Sequence, residues 1–443
     1  MNVNNNITKM ASALLAFSVY TNTRKFLNTS HQPPGSLAAI HGIRFLSMTW
    51  VILGHMYVFG IADMANPVDV LDTLSHWTQD AVSNALVSVD TFFTLSGLLT
   101  SYMTVREMRK RGSWKINWGM FYFHRFWRLT PPYMLTLLFA LGFSQYFGSG
   151  ATWSNSQPYD KVNCERYWWG NLLYVNNLIS TQKMCFGHSW YLSNDMQFYI
   201  LSPLMLVPLY FRKSAGLFVC SLFLLTTWVT TISLSVKHSW PANFFSANIT
   251  AEPKNIGSFG ADYYMKPWCR IGPFVVGVVT GYFLAVHRGR IPLSRPINVL
   301  GWLSAAAVGL SVVYGLRGDM SGEAPSSVGV AAVYNGVARS AWAACVCWVV
   351  TSCTAGYGGP VTSLLTWRPL VPLSRLTYLA YLVHPTVIKA FFGNQEQLYV
   401  FSNVNIVFSY LGVLCVSNMA AFLLTLVVES PMIGLEKALM GKR

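Results

Sequence analysis

Apolar runs of roughly 20 residues, the length that crosses a bilayer as a helix, recur from one end of this sequence to the other. Only 11% of the residues are charged, whereas about a quarter of a soluble chain is charged. The sequence therefore predicts an all-α, polytopic transmembrane bundle. Its ten or so spanning helices are expected near 41–62, 82–104, 129–148, 189–210, 214–236, 267–286, 297–316, 335–355, 375–393 and 404–428.

The position of the positive charges predicts the orientation of the bundle. A net charge of +15 would suggest nucleic acid in a soluble protein, but in a membrane protein Lys and Arg accumulate in short cytoplasmic loops. If the first span starts in the cytoplasm, the loops at 63–81 and 394–403 face outward, and both lack Lys and Arg. We therefore expect a multi-pass protein of the plasma membrane or endoplasmic reticulum, with no nucleic-acid partner. The clusters then on the cytoplasmic side are REMRKRGSWK with FHRFWR, FRK, HRGRIPLSR, WRP and the C-terminal EKALMGKR.

Three regions are expected along the chain. Residues 1–40 hold a partial hydrophobic segment, KMASALLAFSVYT, which is too short to span, and a cytoplasmic linker. No small-residue cleavage site follows that segment, which argues against a removable signal peptide. Residues 41–430 form the transmembrane domain, and 431–443 form a basic cytoplasmic tail.

Cysteines and sequons yield two predictions for the outer side. Cys164 and Cys185 lie in one outer loop, in a compartment where disulfides persist, so we expect them to be bonded. Asn248 lies in an Asn-x-Thr sequon on the same side and is the expected glycosylation site. The cysteines within the spans are expected to be packing residues, and no metal site is predicted.

Arg44 and His55 stand at the two ends of an apolar stretch, RFLSMTWVILGH. Eleven steps along a helix bring the two side chains to within about 20° of one face and separate them by about 16 Å. Arg44 would then lie at the cytoplasmic mouth and His55 near the middle of the membrane. An ionisable group at that depth usually faces the bundle interior or a water-filled cavity and has a function.

Other polar groups are expected at similar depths. Uncompensated charges are not tolerated in hydrocarbon, so we expect these groups to converge on one polar cavity with Arg44 and His55. They are Asp90 and Ser96 in SVDTFFTLSGLL, Asp195, Gln197 and Tyr199 in HSWYLSNDMQFYILSP, Arg270 in YYMKPWCRIGP, and Tyr378 and His384 in LTYLAYLVHP.

These blocks together resemble a known family. The series HGIRFLSMTWVILGH, VDTFFTLSGLL, FHRFWRLTPPYM, HSWYLSNDMQFYILSP, LTYLAYLVHP and VVESPMIGLEK is similar to the integral-membrane acyltransferase-3 family, and more narrowly to its animal nose-resistant-to-fluoxetine branch. The Arg-x10-His signature of the family falls on Arg44 and His55, and its cytoplasmic arginine pair falls on Arg125 and Arg128.

The resemblance implies an activity and roles for these residues. Such proteins transfer an acyl group from a cytoplasmic donor, typically acyl-coenzyme A, to a hydroxyl or amine acceptor in or across the membrane. Acyl-coenzyme A is then a co-substrate, and no permanently bound cofactor is expected. The phosphates of the donor suit Arg125 and Arg128, with Arg44 at the entrance. His55 suits a general base, or less simply a covalent acyl-histidine.

Two questions stay open at the level of sequence. Either Asp90 or Asp195 could orient His55, and the sequence does not choose between them. A carrier that moves lipids or drugs through the same polar cavity is the alternative function, because a bundle of ten helices also suits transport. Besides the bilayer, the expected partners are an acyl donor and a lipid or small-molecule acceptor; the sequence does not indicate an oligomeric state.

Overall fold

The computed structural model describes residues 10–29, 37–150, 152–153, 159, 161–246, 257–289 and 291–440. The regular elements of this part of the chain are helical, and a single β-bridge joins Met64 to Tyr399. The helices of eight or more residues that it contains are α1 (Val19–Leu27), α2 (Ala39–Gly60), α3 (Pro67–Leu74), α4 (Ser88–Arg111), α5 (Trp118–Phe143), α6 (Lys161–Leu172), α7 (Trp190–Phe211), α8 (Lys213–His238), α9 (Ile271–Val286), α10 (Arg295–Tyr314), α11 (Val328–Thr354), α12 (Leu370–Gly393), α13 (Asn403–Leu424) and α14 (Ser430–Met440).

Each apolar run singled out in the sequence coincides largely with one long helix, namely α2, α4, α5 or α7 to α13. Six helical stretches in the described residues are long and apolar enough to cross a membrane. A shorter apolar helix, α9, has 16 residues, and α5, α7 and α12 carry charged or amide side chains. The all-helical membrane architecture is confirmed, and the count of ten spans stays a prediction. The six stretches are Ala39–Asp63, Trp77–Arg111, Lys213–His238, Arg295–Ser321, Val328–Thr354 and Asn403–Met440.

Helices α4 and α9 are in backbone contact. A Cβ atom added to Gly97 of α4 would lie 2.1 Å from the Phe274 carbonyl oxygen, and one added to Gly277 would lie 2.1 Å from the Thr94 carbonyl oxygen. Small residues let helices approach closely in a membrane, where dispersion contacts replace the hydrophobic driving force. This contact fixes α9, and the loop before it, against the start of α4.

Helices α2 and α12 run side by side in the same direction. Near the start of both, His41 Nδ1 and Ser374 Oγ are 2.6 Å apart, and near the end of both, Gly60 lies directly against the Phe392 ring. We call the end of the bundle at which α2 begins the lower end, and the opposite end the upper end. This packing sets the register that brings the middle of α2 to the middle of α12.

The segment between α5 and α7 folds back into the bundle. Phe186 and Ser189 are fully buried, although both lie outside the long helices. The Tyr133 hydroxyl in the middle of α5 donates to Ser189 Oγ at 2.6 Å, and the Tyr381 hydroxyl in α12 donates to the His188 carbonyl oxygen. Irregular backbone is tolerated at membrane depth where protein surrounds it. His188 thereby reaches the interior from a loop.

The predicted disulfide is present between Cys164 and Cys185. It ties α6 to the stretch that precedes the buried Phe186, across a sequence separation of 21 residues. The bond therefore holds together the loop that delivers His188. Among the described residues, the cysteines that remain free are Cys220, Cys269, Cys345, Cys347, Cys353 and Cys415.

The N-terminal segment and the C-terminal tail are helical where they are described. Helix α1 begins after Ser18, whose hydroxyl accepts from the Thr21 backbone N–H. At its C-terminus, Arg375 of α12 donates to the Phe26 and Asn28 carbonyl oxygens, so the segment docks at the lower end. The predicted tail, 431–443, belongs to α14 as far as Met440. The predicted glycosylation site, Asn248, lies outside the described residues.

Candidate active site

The middle of the bundle contains a pair of hydrogen-bonded histidines. His55 Nδ1 on α2 and His384 Nε2 on α12 are 2.6 Å apart, and their ring planes are inclined by only 2°. The second nitrogen of His384, Nδ1, lies 3.1 Å from the Ala380 carbonyl oxygen one turn earlier. His384 is fully buried, whereas His55 is partly exposed.

The backbone carbonyl determines where the protons of this pair lie. The Ala380 carbonyl can only accept, so Nδ1 of His384 carries a proton and donates it. In a neutral His384, Nε2 is then an acceptor, and Nδ1 of His55 must be the donor to it. The chain of hydrogen bonds leaves the lone pair of His55 Nε2 unused. That lone pair is what a general base requires.

A third imidazole lies beside the pair. The ring centroids of His188 and His384 are 6.0 Å apart, and those of His188 and Tyr381 are 5.5 Å apart. His188 Nε2 is buried and has no hydrogen-bond partner within the described residues. His188 begins the block HSWYLSNDMQFYILSP, but the sequence alone does not bring it to the pair, because its approach depends on the inward fold of a loop.

His55 also lines a small cleft. Gly54 of α2, Ser88 and Val89 at the start of α4, and Tyr264 in the turn before α9 form other parts of its wall. Tyr264 belongs to a π-helical stretch, Phe259–Tyr264, an irregularity that often marks a functional position. The cleft adjoins His55 on the side of the α4 and α9 N-termini.

A cationic cluster lies on the lower side of the histidines. Arg125 of α5 forms an ion pair with Asp195 of α7, and its Nη2 donates to Ser96 Oγ at 3.1 Å. The Arg125 guanidinium also lies 4.3 Å from the centroid of the Tyr199 ring, in a cation–π contact. Asp195, Ser96 and Tyr199, which the sequence predicted around one cavity, therefore meet at Arg125, whose Nε has no hydrogen-bond partner among the described residues.

Arg44 and Arg128 complete this cluster. Arg44 interacts electrostatically with Arg128, Arg125 and Asp195. Arg128 is exposed, although it lies ten residues into α5. It interacts electrostatically with Glu429, which ends the π-helical stretch after α13. Three guanidinium groups thus face two carboxylates, which leaves a net positive charge. Arg128 is the guanidinium of this cluster that is exposed.

Aromatic side chains lie between the cationic cluster and the histidines. Tyr191 interacts electrostatically with Arg44 and Asp195, and its ring centroid is 5.3 Å from that of Tyr381. Tyr378, one turn before Tyr381, donates its hydroxyl proton to the Leu129 carbonyl oxygen at 2.6 Å. The stripe from Arg44 to His55 is therefore lined by phenol rings.

Asp90 and Arg270 belong to a second charge cluster. Arg270 Nη1 donates to both carboxylate oxygens of Asp90 at 2.8 Å, and both side chains have no exposed surface. Arg339 of α11 approaches the same carboxylate, with its Nε 3.9 Å from an oxygen. Arg339 was not singled out in the sequence, because a lone cation in an apolar run gives no spacing from which to place it.

Gln197 lies in an amide cluster rather than against the histidines. Its Nε2 donates to the Tyr174 carbonyl oxygen and to Asn177 Oδ1, both at 2.9 Å. Lys266 Nζ donates to the Asn177 carbonyl oxygen at 2.9 Å. Burial lowers the pKa of Lys266, and the nearby Asp262 carboxylate only partly opposes that shift. The cluster joins the inserted loop to the segment before α9.

The partner that the structure gives to His55 is neither acid considered in the sequence. Asp90 bonds Arg270, Asp195 bonds Arg125, and His384 occupies the position next to His55 Nδ1. Both carboxylates are drawn to guanidinium groups because a buried charge needs an opposite charge, whereas a neutral imidazole does not. Within the described residues, no group of three His, Cys, Asp or Glu side chains is arranged to hold a metal ion.

Comparison with known proteins identifies the family of this chain. The family model for the acyltransferase domain Acyl_transf_3 matches residues 37–425. The chain belongs to the acyltransferase-3 family. The matched region includes every residue of the histidine pair and of both charge clusters except Glu429.

Two curated proteins of Caenorhabditis elegans are similar to this member of the family. Nose resistant to fluoxetine protein 6 is 31% identical to it over a 460-residue alignment, which covers 97% of this chain and 54% of that protein. Regulator of hypoxia-inducible factor 1 is 24% identical, with 88% of this chain and 78% of that protein covered. The chain thus spans about half the length of the first relative. No solved structure matches it significantly.

Proposed function

We propose that this protein transfers an acyl group from acyl-coenzyme A, bound from the lower side, to a hydroxyl or amine acceptor. The observation that carries the proposal is the hydrogen-bond chain from the Ala380 carbonyl through His384 to His55. It leaves Nε2 as a proton acceptor on His55, which lines the cleft at the far end of a stripe that begins at Arg44.

The lower end is cytoplasmic in this proposal. The basic loops of the sequence favour that side, and a donor with several phosphate groups needs cations there. Arg128 is exposed, and its cluster has a positive excess, so we assign it the first phosphate contact. Arg44 then guides the thioester toward the phenol rings of Tyr191 and Tyr381. The C-terminus is cytoplasmic in the same orientation.

The chemical step can be written with the groups present. His55 Nε2 takes the proton of the acceptor hydroxyl while the hydroxyl oxygen attacks the thioester carbonyl carbon. The tetrahedral oxyanion then collapses, the carbon–sulfur bond breaks, and the coenzyme A thiolate leaves with the proton from His55. His384 keeps its bond to His55 Nδ1 throughout and so stabilises the imidazolium that forms in between. Each proton and electron pair is accounted for, with His55 regenerated.

Replacement of His55 tests the proposal. His55→Ala should lower acyl transfer by about 10²–10⁴-fold, the usual contribution of a positioned general base. Donor binding should be retained, because the phosphate contacts lie elsewhere. The matched control is His287→Ala, which removes an exposed imidazole at the end of α9.

The same variant separates catalysis from transport. A carrier would move lipids or drugs equally well after His55→Ala, and its transport would not depend on coenzyme A. The measurement is release of coenzyme A by the purified full chain, with water or an added alcohol as acceptor. Wild-type rates in His55→Ala, or movement of a lipid without acyl-coenzyme A consumption, would contradict the proposed mechanism.

A further inference from the structure

The Asp90 cluster carries one more positive than negative charge. Two guanidinium groups, Arg270 and Arg339, approach within 4 Å of the single Asp90 carboxylate. Arg270 and Asp90 have no exposed surface, and the Arg339 side chain is 10% exposed. A charge buried to this degree and left unbalanced is costly, so proteins rarely keep one without a purpose.

The surroundings do not supply the missing negative charge. The ionisable groups that act most strongly on Arg339 are Arg270, Asp90 and the phenols of Tyr263 and Tyr264, and among the described residues Asp90 is the carboxylate within 4 Å of either guanidinium group. Arg339 lies 4.1 Å from the Tyr263 ring centroid, and Arg270 lies 4.1 Å from that of Tyr264. Ring faces attract cations but carry no net charge.

Two guanidinium nitrogens of this cluster are also without partners. Arg270 Nη2 and Arg339 Nη1 are buried, and neither has a hydrogen-bond partner among the described residues. Arg270 immediately precedes Ile271, the first residue of α9, so the free N–H groups and positive dipole end of a helix lie at the same place. Unpaired charged donors, excess positive charge and a helix N-terminus all favour an anion.

We propose that Arg270 and Arg339 bind an oxyanion, a carboxylate or a phosphate. A guanidinium group presents its N–H donors in a planar fork that matches two oxygens of such a group. One added negative charge would give the cluster two cations and two anions. It would also give both unpaired nitrogens an acceptor. Asp90 holds Arg270 in place and so prepares the site.

The oxyanion site adjoins the cleft that contains His55. Tyr264 lines that cleft, and its ring also contacts Arg270. Ser88 and Val89, which line the cleft as well, directly precede Asp90. The oxyanion therefore belongs to the acceptor, whose hydroxyl or amine extends toward His55. This last step rests on the proposed function, whereas binding of the oxyanion does not.

Thermal unfolding of the purified full chain tests the site without any acyl donor. In detergent, sodium phosphate should raise the unfolding temperature relative to sodium chloride of equal ionic strength. In phosphatidylcholine nanodiscs, addition of phosphatidic acid should raise it if the oxyanion is a lipid phosphate. A response to inorganic phosphate identifies a site open to soluble oxyanions, and a response to phosphatidic acid alone identifies a lipid headgroup.

Arg339→Met is the decisive variant. Methionine keeps the bulk against Tyr263 and leaves a neutral Asp90–Arg270 pair, so without added anion it should unfold at the wild-type temperature or higher. Its affinity for the oxyanion should be weaker by roughly tenfold or more. Arg339→Lys, which retains the charge without the fork, should fold and bind with intermediate affinity. Arg166→Met is the control: it removes an exposed cation of α6, and its unfolding temperature should respond to the oxyanion as that of the wild type does.

The outcomes separate this proposal from the proposed activity. Absence of any response to phosphate and phosphatidic acid, or a full response in Arg339→Met, would overturn the oxyanion site. His55→Ala should retain the full response, because His55 contributes nothing to the cluster. If the unfolding temperature responds to the oxyanion but the protein never consumes acyl-coenzyme A, the proposed activity is wrong and the oxyanion site is still supported.

Discussion

His384 is expected to act on the reaction only through His55, and its replacement is the most direct test of the hydrogen-bond chain. His384→Leu keeps a side chain of similar size in a fully buried position but removes the acceptor for His55 Nδ1–H. His55 can then carry its proton on either nitrogen. The tautomer with its proton on Nε2 cannot serve as the base.

The size of the effect follows from one lost hydrogen bond. The bond strengthens when His55 becomes an imidazolium, because a hydrogen bond to a charged group contributes about 1.5–3 kcal/mol and a neutral one about 0.5–1.5 kcal/mol. Losing that difference raises the barrier by about 1–1.5 kcal/mol, and since 1.36 kcal/mol is a factor of ten in rate, kcat should fall by about 5- to 13-fold. This is less than the loss expected for His55→Ala, because the base itself is still present. The KM for the donor should not change, because His384 is remote from the guanidinium cluster.

Two further variants make the test specific. In His384→Gln, the amide oxygen can accept from His55 and the amide nitrogen can donate to the Ala380 carbonyl, so much of the rate should return. His287 is the matched control, because its Nδ1 lies against the Phe283 carbonyl one turn earlier, just as His384 Nδ1 lies against the Ala380 carbonyl. His287 is exposed and lies at the end of α9, so His287→Leu should have wild-type kinetics. The assay is coenzyme A release, with thermal unfolding as a check of the fold. A wild-type kcat in His384→Leu would refute the proposed role.

Three other outcomes follow from the same contacts. Arg128→Ala should raise the KM for acyl-coenzyme A with little change in unfolding temperature, whereas Arg125→Ala should destabilise the protein by roughly 3–5 kcal/mol because it leaves a buried carboxylate unpaired; both are measured by kinetics and thermal unfolding. Cys164→Ser should lower stability by roughly 3 kcal/mol on the chain-entropy model, and peptide mapping without reductant should recover the wild-type bond as one linked fragment. Glycan mapping should find Asn248 modified and Asn28, which lies in an Asn-x-Ser sequon at the lower end, unmodified; the reverse pattern would invert the proposed orientation.

The sequence predicted the helices well where apolar length alone decides. The run at 41–62 became Ala39–Gly60, and the run at 214–236 became Lys213–His238, since nothing in either run competes with a helix. The predicted start at residue 129 differs more, because α5 already begins at Trp118. Its first turns hold His124 and Arg125, whose polar side chains interrupt the apolar run there.

Sequence spacing placed Arg44 and His55 on one stripe because both lie on a single helix. It could not identify their partners, since those contacts depend on how helices pack. His384 meets His55 only through the register of α2 against α12, and His188 arrives on an inserted loop. Arg339 lies far along the chain from Asp90, and no local pattern connects the two.

The polar residues of the candidate site also explain why three of the long helices are not among the six stretches that hydropathy identifies. Helices α5, α7 and α12 have 26, 22 and 24 residues, long enough to cross a bilayer, yet they fall short in apolar character. They are the helices that carry Arg125, Asp195 and His384. In the fold the first two pair with each other and the third bonds His55, so none of these groups needs to face lipid. Hydropathy assigns each polar residue a cost of burial in the membrane, and pairing between residues offsets that cost. The three helices that look least like spans are therefore the ones whose polar side chains a catalytic interior would require.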